Sequence, residues 1–326
     1  MVTDQDLVHA VATLKEGGLV AFPTETVYGL GADASNPEAV ARIYAAKGRP
    51  SNHPVIVHMA DAVQLGLWAR DIPHSAHDLA KAFWPGPLTL ILKRGDAVLD
   101  AVTGSQDTVA VRVPSHPVAL ALLRGFGGGV AAPSANRYGR VSATTAEHVR
   151  QEFGSAVECV LDGGPCDVGI ESTIIDLSRD APALLRPGHI TASQVEAVLR
   201  RPLVAPDAQA PRAPGTLAKH YAPQTPVMLM EPDLLIELAA SLTRQGKRVA
   251  VLARSALQPV IAGITWIAAP TDPVEYGHDL YANLRSVDEA ECDALLVEEP
   301  PLEASWIAVR DRLVRAAAGA EAQDEG

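Results

Sequence analysis

Apolar positions change period repeatedly along the chain. Leu7, Val11 and Leu14 recur at helical spacing behind Thr3, a capping side chain, and Gly17-Gly18 ends the run, so a helix is expected over 4–16. A buried strand follows at 19–23. Asn36-Pro37 has the cap-then-proline form of a helix start, and Gly48 closes that helix. Short apolar runs predict strands at 55–57, 88–92, 108–113, 129–132, 157–161, 173–177 and 183–186, with helices near 61–69, 75–83 and 191–200. Residues 202–226, "PLVAPDAQAPRAPGTLAKHYAPQTP", are proline-rich and aperiodic, and read as a long linker. Beyond them come strand 227–230, helix 233–244, strands 248–252 and 264–268, helix 273–286, strand 294–298 and helix 303–317. Helices alternating with apolar strands predict a small three-layer α/β domain. The expected organisation is a first domain at 1–201, a linker at 202–226 and a second domain at 227–326.

Several polar residues interrupt this pattern. In "FPTETVYGLG" (22–31) three hydrogen-bonding side chains follow an apolar strand. If 23–28 is extended, Thr24, Thr26 and Tyr28 share one side, and Glu25 and Val27 the other. The competing reading is that these good strand formers bond nearby backbone. In "TVAVRVP" (108–114) alternation puts the valines on a core face and Thr108, Ala110 and Arg112 opposite. Small Ala110 leaves space beside an arginine suited to a carboxylate. Lys47 ends a helix, where the dipole favours a cation. Arg49, beyond the Gly48 turn, has no such explanation, and the two cations suit a polyphosphate. His58 alternates with Ile56 and by itself reads first as structural. "VAAPSANRYGRVS" (130–142) places Ser134, Asn136, Gly139, Arg140 and Ser142 on a loop that phosphates can approach. "GIESTIID" (169–176) brings Glu171, Ser172 and Thr173 into a strand, and "LLRPG" (184–188) puts Arg186 at a strand end.

Composition narrows the classes. A chain of 326 residues that is 48% hydrophobic favours two domains with a substantial core. The net charge of −12 argues against non-specific nucleic-acid binding. The charge is uneven, net −4 over residues 1–201 and −8 over 202–326, so an anionic ligand is expected in the first part. Cys159, Cys166 and Cys292 form no CxxC pair, and the acidic start lacks a signal-peptide pattern, so cytoplasmic location and no membrane association are expected. GxxxxGK[ST], GxGxxG and GxSxG are absent. His74 and His77 lack an evident third ligand for zinc.

Taken together, "PTETVYGLG" (23–31), "KGRP" (47–50), "PLTLIL" (87–92), "TVAVRVP" (108–114), "APSAN" (132–136), "ESTIID" (171–176) and "LRPG" (185–188) resemble the YrdC-like L-threonylcarbamoyladenylate synthases. "KHYAP" (219–223) and the α/β segment after it resemble the family's long form. The resemblance implies a YrdC-like first domain, an α+β fold with a twisted mixed sheet, and a smaller Rossmann-like C-terminal domain. It implies an ATP-binding nucleotidyltransferase that makes threonylcarbamoyl-AMP and pyrophosphate from L-threonine, bicarbonate and ATP, with Mg²⁺ accompanying ATP. A tRNA threonylcarbamoyl transferase would receive the product, and weak tRNA binding is a further expectation. By the same resemblance Thr26, His58, Arg112, Ala132 and Ser172 hold threonine. Arg49, His53, Thr108, Ser134, Ser142, Arg186 and Tyr221 hold ATP, with Tyr221 covering it. Lys47 and Arg49 with Ser134 and Asn136 form the catalytic signature around the phosphates; no metal ligand is implied. His53 stands where the family often has asparagine, and Arg137-Tyr138 departs from its usual loop. A double-stranded RNA or tRNA-binding module and a carbamoyl-transfer enzyme are the alternatives.

Overall fold

The computed structural model describes residues 2–321. The chain divides into two compact units: Met1–Tyr138 with Ser142–Thr216, and Gly139–Val141 with Leu217–Gly326.

The first unit is built on nine strands. They are β1 (Val20–Phe22), β2 (Gly29–Asp33), β3 (Ile56–His58), β4 (Leu88–Lys93), β5 (Thr108–Arg112), β6 (Val130–Ala131), β7 (Cys159–Val160), β8 (Thr173–Asp176) and β9 (Ala183–Arg186). Their order across the sheet is β7-β1-β2-β6-β3-β5-β4-β8-β9, with parallel and antiparallel neighbours mixed. The helices are α1 (Asp4–Lys15), α2 (Pro37–Lys47), α3 (Leu65–Trp68), α4 (His74–Phe83), α5 (Asp100–Thr103), α6 (Pro117–Phe126), α7 (Ala146–Phe153) and α8 (Ala192–Leu199). Thr3 caps α1 in a reciprocal capping box, and Asn36 caps α2 ahead of Pro37.

Strand alternation sorts the two faces of this sheet. Leu88, Leu90 and Leu92 of β4, Val109 and Val111 of β5, and Val57 of β3 enter the main core. On the opposite face Val20, Phe22 and Val130 pack beneath α1 and α6 with Leu14, Leu122 and Leu123. Further along that face the apolar cover shrinks to Ile56, Ile91, Ala110, Ile174 and Ala213. The polar members of the same alternation, Thr89, Thr108, Arg112 and His58, lie among them and are buried.

Two sequence expectations change. Residues 23–28 are not extended. Thr24 Oγ1 accepts the amides of Thr26 and Val27, both at 3.2 Å, and donates to the Val27 carbonyl, so the hydroxyl closes a turn. Tyr28 consequently joins the main core, with its phenol donating to Gly164 O at 2.7 Å, and does not line the wall with the threonines. The strand pattern also conceals β2, α5, α6 and α7. The sequence of α6, "PVALALLRGF", is apolar around most of its circumference, so periodicity alone does not separate it from a buried strand.

The second unit contains β10 (Val227–Met230), β11 (Val249–Ala253), β12 (Ile264–Ala268) and β13 (Ala294–Glu298), with α9 (Pro232–Arg244), α10 (Pro273–Glu289) and α11 (Ile307–Glu321). The strands are all parallel in the order β10-β13-β11-β12, a Rossmann-like arrangement. The proline-rich stretch is secured to both units. Val204 N donates to Pro182 O, and Arg212 N to Gln106, within the first. Within the second, His220 N donates to Arg315 O, and the amides of Gln224 and Thr225 to Asp288.

Candidate active site

The floor of the candidate site is where β3 and β5 run side by side with His58 opposite Arg112. Arg112 is 3% exposed. Its Nη2 pairs with Glu25 Oε1 at 2.6 Å, Nη1 donates to Thr26 Oγ1 at 2.9 Å, and Nε donates to Gly86 O at 3.2 Å. A guanidinium carries five N–H donors, so these bonds leave donors over. Burial pushes the Glu25 carboxyl up, but the Arg112 charge and its hydrogen bond outweigh this and hold it below the usual value. Burial and Arg112 together bring His58 down to about 3, so its ring is neutral at physiological pH. The His58 Nδ1 is buried without a hydrogen-bond partner. The carbonyls of Ile56 and Val130 favour the charged ring and oppose this shift without overcoming it.

One wall comes from the loop after β6. Ala132 N donates to Ile56 O at 2.9 Å, which seats "APSAN" against β3. Lys47, at the end of α2, donates its ammonium to the carbonyls of Ser134 and Asn136. Ser134 Oγ donates to Asn136 Oδ1 at 2.6 Å. Burial, then the neighbouring Arg49, lowers the Lys47 pKa well below its ordinary value. Arg49 donates to Pro54 O at 2.9 Å and lies 5.8 Å from the Tyr138 ring centre. Tyr138 Oη is 3.2 Å from His53 Nδ1, and their rings meet edge to face. The two departures from the family pattern thus form one contact beside Arg49.

The other wall precedes β8. Ser172 Oγ bonds Thr89 Oγ1 at 2.7 Å, and Arg186 Nη2 donates to the same Ser172 oxygen at 3.1 Å. Arg186 Nε donates to Ser172 O at 3.0 Å, and Nη1 donates to Pro214 O at 3.0 Å. Ser142 Oγ donates to Glu171 Oε1.

Sequence reasoning singled out Thr26, Lys47, Arg49, His53, His58, Thr108, Arg112, Ala132, Ser134, Asn136, Ser142, Ser172 and Arg186, and all lie in the first unit. Thr108 shares the face of Arg112 but stands at the other end of β5. Tyr221 belongs to the second unit, where it stacks on Tyr281 at 5.7 Å beneath the Arg312 guanidinium. Three partners had no sequence-assigned role. Glu25 fixes Arg112, Glu171 holds Ser142, and Thr89 holds Ser172. The signal for Glu25 was available: a carboxylate between two threonines at a strand end needs a buried cation nearby.

Four buried cations, Lys47, Arg49, Arg112 and Arg186, are thus interleaved with two carboxylates, Glu25 and Glu171. Two backbone-tethered loops and a sheet face hold them together with hydroxyls and a neutral imidazole. This defines an α/β protein with a buried cluster of cations and hydroxyls on a mixed sheet, a chemistry suited to anionic groups.

The comparisons agree with that class and narrow it. Residues 12–188 match the family model described as "Telomere recombination" (Sua5, YciO and YrdC), and residues 190–318 match "Threonylcarbamoyl-AMP synthase, C-terminal domain". The chain is 42% identical to threonylcarbamoyl-AMP synthase of Bacillus subtilis (strain 168), covering 97% of this chain and 94% of that protein. It is 40% identical to the Pyrococcus abyssi protein of the same name, covering 94% and 92%. The solved structure of P. abyssi Sua5 complexed with L-threonine is similar, with a TM-score of 0.90, 38% identity, and coverage of 98% of this chain and 96% of that one. The chain belongs to the threonylcarbamoyl-AMP synthase family, in its two-domain form, and the family is one of nucleotidyl-transferring enzymes.

Proposed function

We propose that the chain converts L-threonine, bicarbonate and ATP to threonylcarbamoyl-AMP, pyrophosphate and water, for threonylcarbamoyl modification of tRNA. The observation that carries this reading is the buried cation excess on one sheet face, with Arg112 and His58 opposite each other on adjacent strands. The remaining Arg112 donors and the partnerless His58 nitrogen suit the carboxylate and hydroxyl of a small amino acid. Thr26, Ala132 and Ser172 complete that pocket. Arg49, His53, Thr108, Ser134, Ser142 and Arg186 receive ATP.

Threonine's amine adds to the carbonate carbon with loss of water, giving a carbamate. A carbamate oxygen then attacks the α-phosphorus in line, and pyrophosphate leaves. No protein nucleophile is needed. The chain positions the two reactants and neutralises the charge that grows on the phosphate oxygens. Lys47, clamped by the carbonyls of Ser134 and Asn136, holds the loop that meets the phosphates at a set distance from α2.

Among the described residues no three His, Cys, Asp or Glu side chains gather to hold a metal. Glu25 and Glu171 are engaged by Arg112 and Ser142. This donor set fits Mg²⁺ carried by the nucleotide rather than by a protein cage; when bound it supplies neutralisation of phosphate charge. The product passes to a tRNA threonylcarbamoyl transferase, and a weak tRNA contact and cytoplasmic location belong to the same reading. No helix among the described residues is long and apolar enough to cross a membrane.

Purified protein with ATP, bicarbonate and threonine should yield threonylcarbamoyl-AMP by mass spectrometry, with pyrophosphate release that depends on threonine. Pyrophosphate or ADP formation indifferent to threonine would remove the reading.

A further inference from the structure

The second unit carries a cluster that the proposed reaction does not use. In open parallel α/β sheets, ligands sit outside the carboxyl ends of the strands where neighbouring strands send their following loops in opposite directions. That point lies between β11 and β13. From β11 the chain goes on to β12 on one side, whereas β13 leads to α11, which packs against β10 on the other.

Glu298, the last residue of β13, is buried there. It accepts the amides of Arg254, Ser255 and Ala256 at 2.8, 2.7 and 3.1 Å, and the Ser255 hydroxyl. Arg254 Nη2 lies 3.3 Å from Glu298 Oε1. Trp306 joins the cluster, 5.6 Å from the Arg254 guanidinium and edge-on to Tyr276 at 5.4 Å. Two donors remain over. Tyr276 Oη, on a residue 2% exposed, and Arg254 Nε are both buried without a hydrogen-bond partner. Buried polar groups in folded proteins are nearly always paired, so two unmet atoms within one cluster call for an explanation.

The two unmet groups are of one kind. Burial, then the Glu298 charge, pushes the Tyr276 phenol up, so it keeps its proton and donates. Glu298 is the acceptor of the cluster and its oxygens are already engaged; burial pushes its carboxyl up, but bonds from Ser255 and the amides hold it below its usual value. A ligand here must therefore bring acceptors. The Arg254 side chain is 22% exposed, which leaves a way in from solvent.

We propose that Arg254, Tyr276 and Trp306 form a binding site in the C-terminal domain for a small molecule carrying an oxyanion, a carboxylate or a phosphoryl group. Its oxygen receives the Arg254 Nε–H and the Tyr276 O–H, and Glu298 holds the arginine in place. The site is separate from the residues assigned to threonine and ATP and goes beyond the proposed synthesis.

The test uses the full chain and its Tyr276→Phe variant, melted in rising sodium phosphate, sodium acetate or acetamide at constant ionic strength. General salt effects and anion binding in the first unit are common to both proteins, so only the difference is read. Ligation of the native state alone raises the melting temperature, and a gain about 2 to 4 °C larger in the wild type at tens of millimolar anion is expected. Phosphate or acetate, whichever gives the difference, identifies the group. Arg254→Lys keeps the charge, loses Nε and should lose the same gain, which covers the case of a poorly folding Tyr276 variant. Equal anion responses in wild type and both variants would overturn the site. Acetamide acting as strongly as acetate would overturn the oxyanion class.

Discussion

Glu25 bears more on the candidate site than its position in a polar interruption suggests. Its carboxylate neutralises Arg112 and also accepts the Ser115 amide at 3.0 Å. Removing one partner of a buried ion pair strands the other charge, which costs about 3–5 kcal/mol. Glu25→Ala should lose stability of that order in denaturant titration, and the double variant Glu25→Leu/Arg112→Met should recover much of it. A loss below about 1 kcal/mol, as at an exposed pair, would show that the pair is solvated. Arg112→Ala should weaken threonine use more than ATP binding, read by calorimetry with each ligand; the reverse order would overturn the threonine assignment. His58 gives a pH signature. Its pKa is about 3 in the folded chain and 6.5 in the reference state, so the unfolded chain binds the extra proton between those values. The stability this histidine contributes is complete above the upper value and is lost as pH falls towards the lower one, by at most about 1.4 kcal/mol per pH unit. Unfolding free energies at several pH values should show a shallower slope for His58→Asn than for the wild type.

At the scale of elements, turns and tight approaches do as much as strands. Gly48 takes φ +64° at the end of α2, and this left-handed cap ends the helix between Lys47 and Arg49. Gly188 lies where "LRPG" crosses the entrance to β8. A Cβ there would sit 2.5 Å from Thr173 N and 2.7 Å from Glu171 O. Both neighbours are backbone, so they cannot swing aside. Gly188→Ala should cost about 1–3 kcal/mol by overpacking and should disturb Arg186 and Ser172 together, seen as a raised KM for both substrates. The strands β4 and β5, the caps of α1 and α2, and the alternation that separates Val109 and Val111 from Arg112 were legible, because local sequence carries periodicity and capping directly. The turn at Thr24 was not. A threonine hydroxyl serves equally as a strand side chain or as an acceptor for its own backbone, and only the following chain path decides. The helix α6 was hidden for a related reason, since apolar residues around most of its circumference erase amphipathic contrast although only Ala119, Leu122 and Leu123 are buried.

For the molecule as a whole, the proline-rich stretch shows where a domain boundary matters. Pro214 O accepts from Arg186, and Arg212 donates to Gly104 O at 2.8 Å, both within the first unit. A fragment ending at Thr216 should therefore melt higher than one ending at Arg201, by several degrees in a calorimetric scan. Equal melting temperatures would mean that residues 202–216 contribute no stability.

Local patterns in the chain by themselves determined the two α/β regimes, the core faces of the long strands and the inventory of cations and hydroxyls, because each follows from periodicity, capping or composition within a few residues. Tertiary structure alone decided that Glu25 answers Arg112, that Lys47 is spent on two carbonyls, that His53 meets Tyr138, and that Arg254 and Tyr276 share Trp306. Those pairings join residues tens of positions apart, and charge or hydrogen-bond complementarity at such separations is set by sheet order and loop path, neither of which a local pattern encodes.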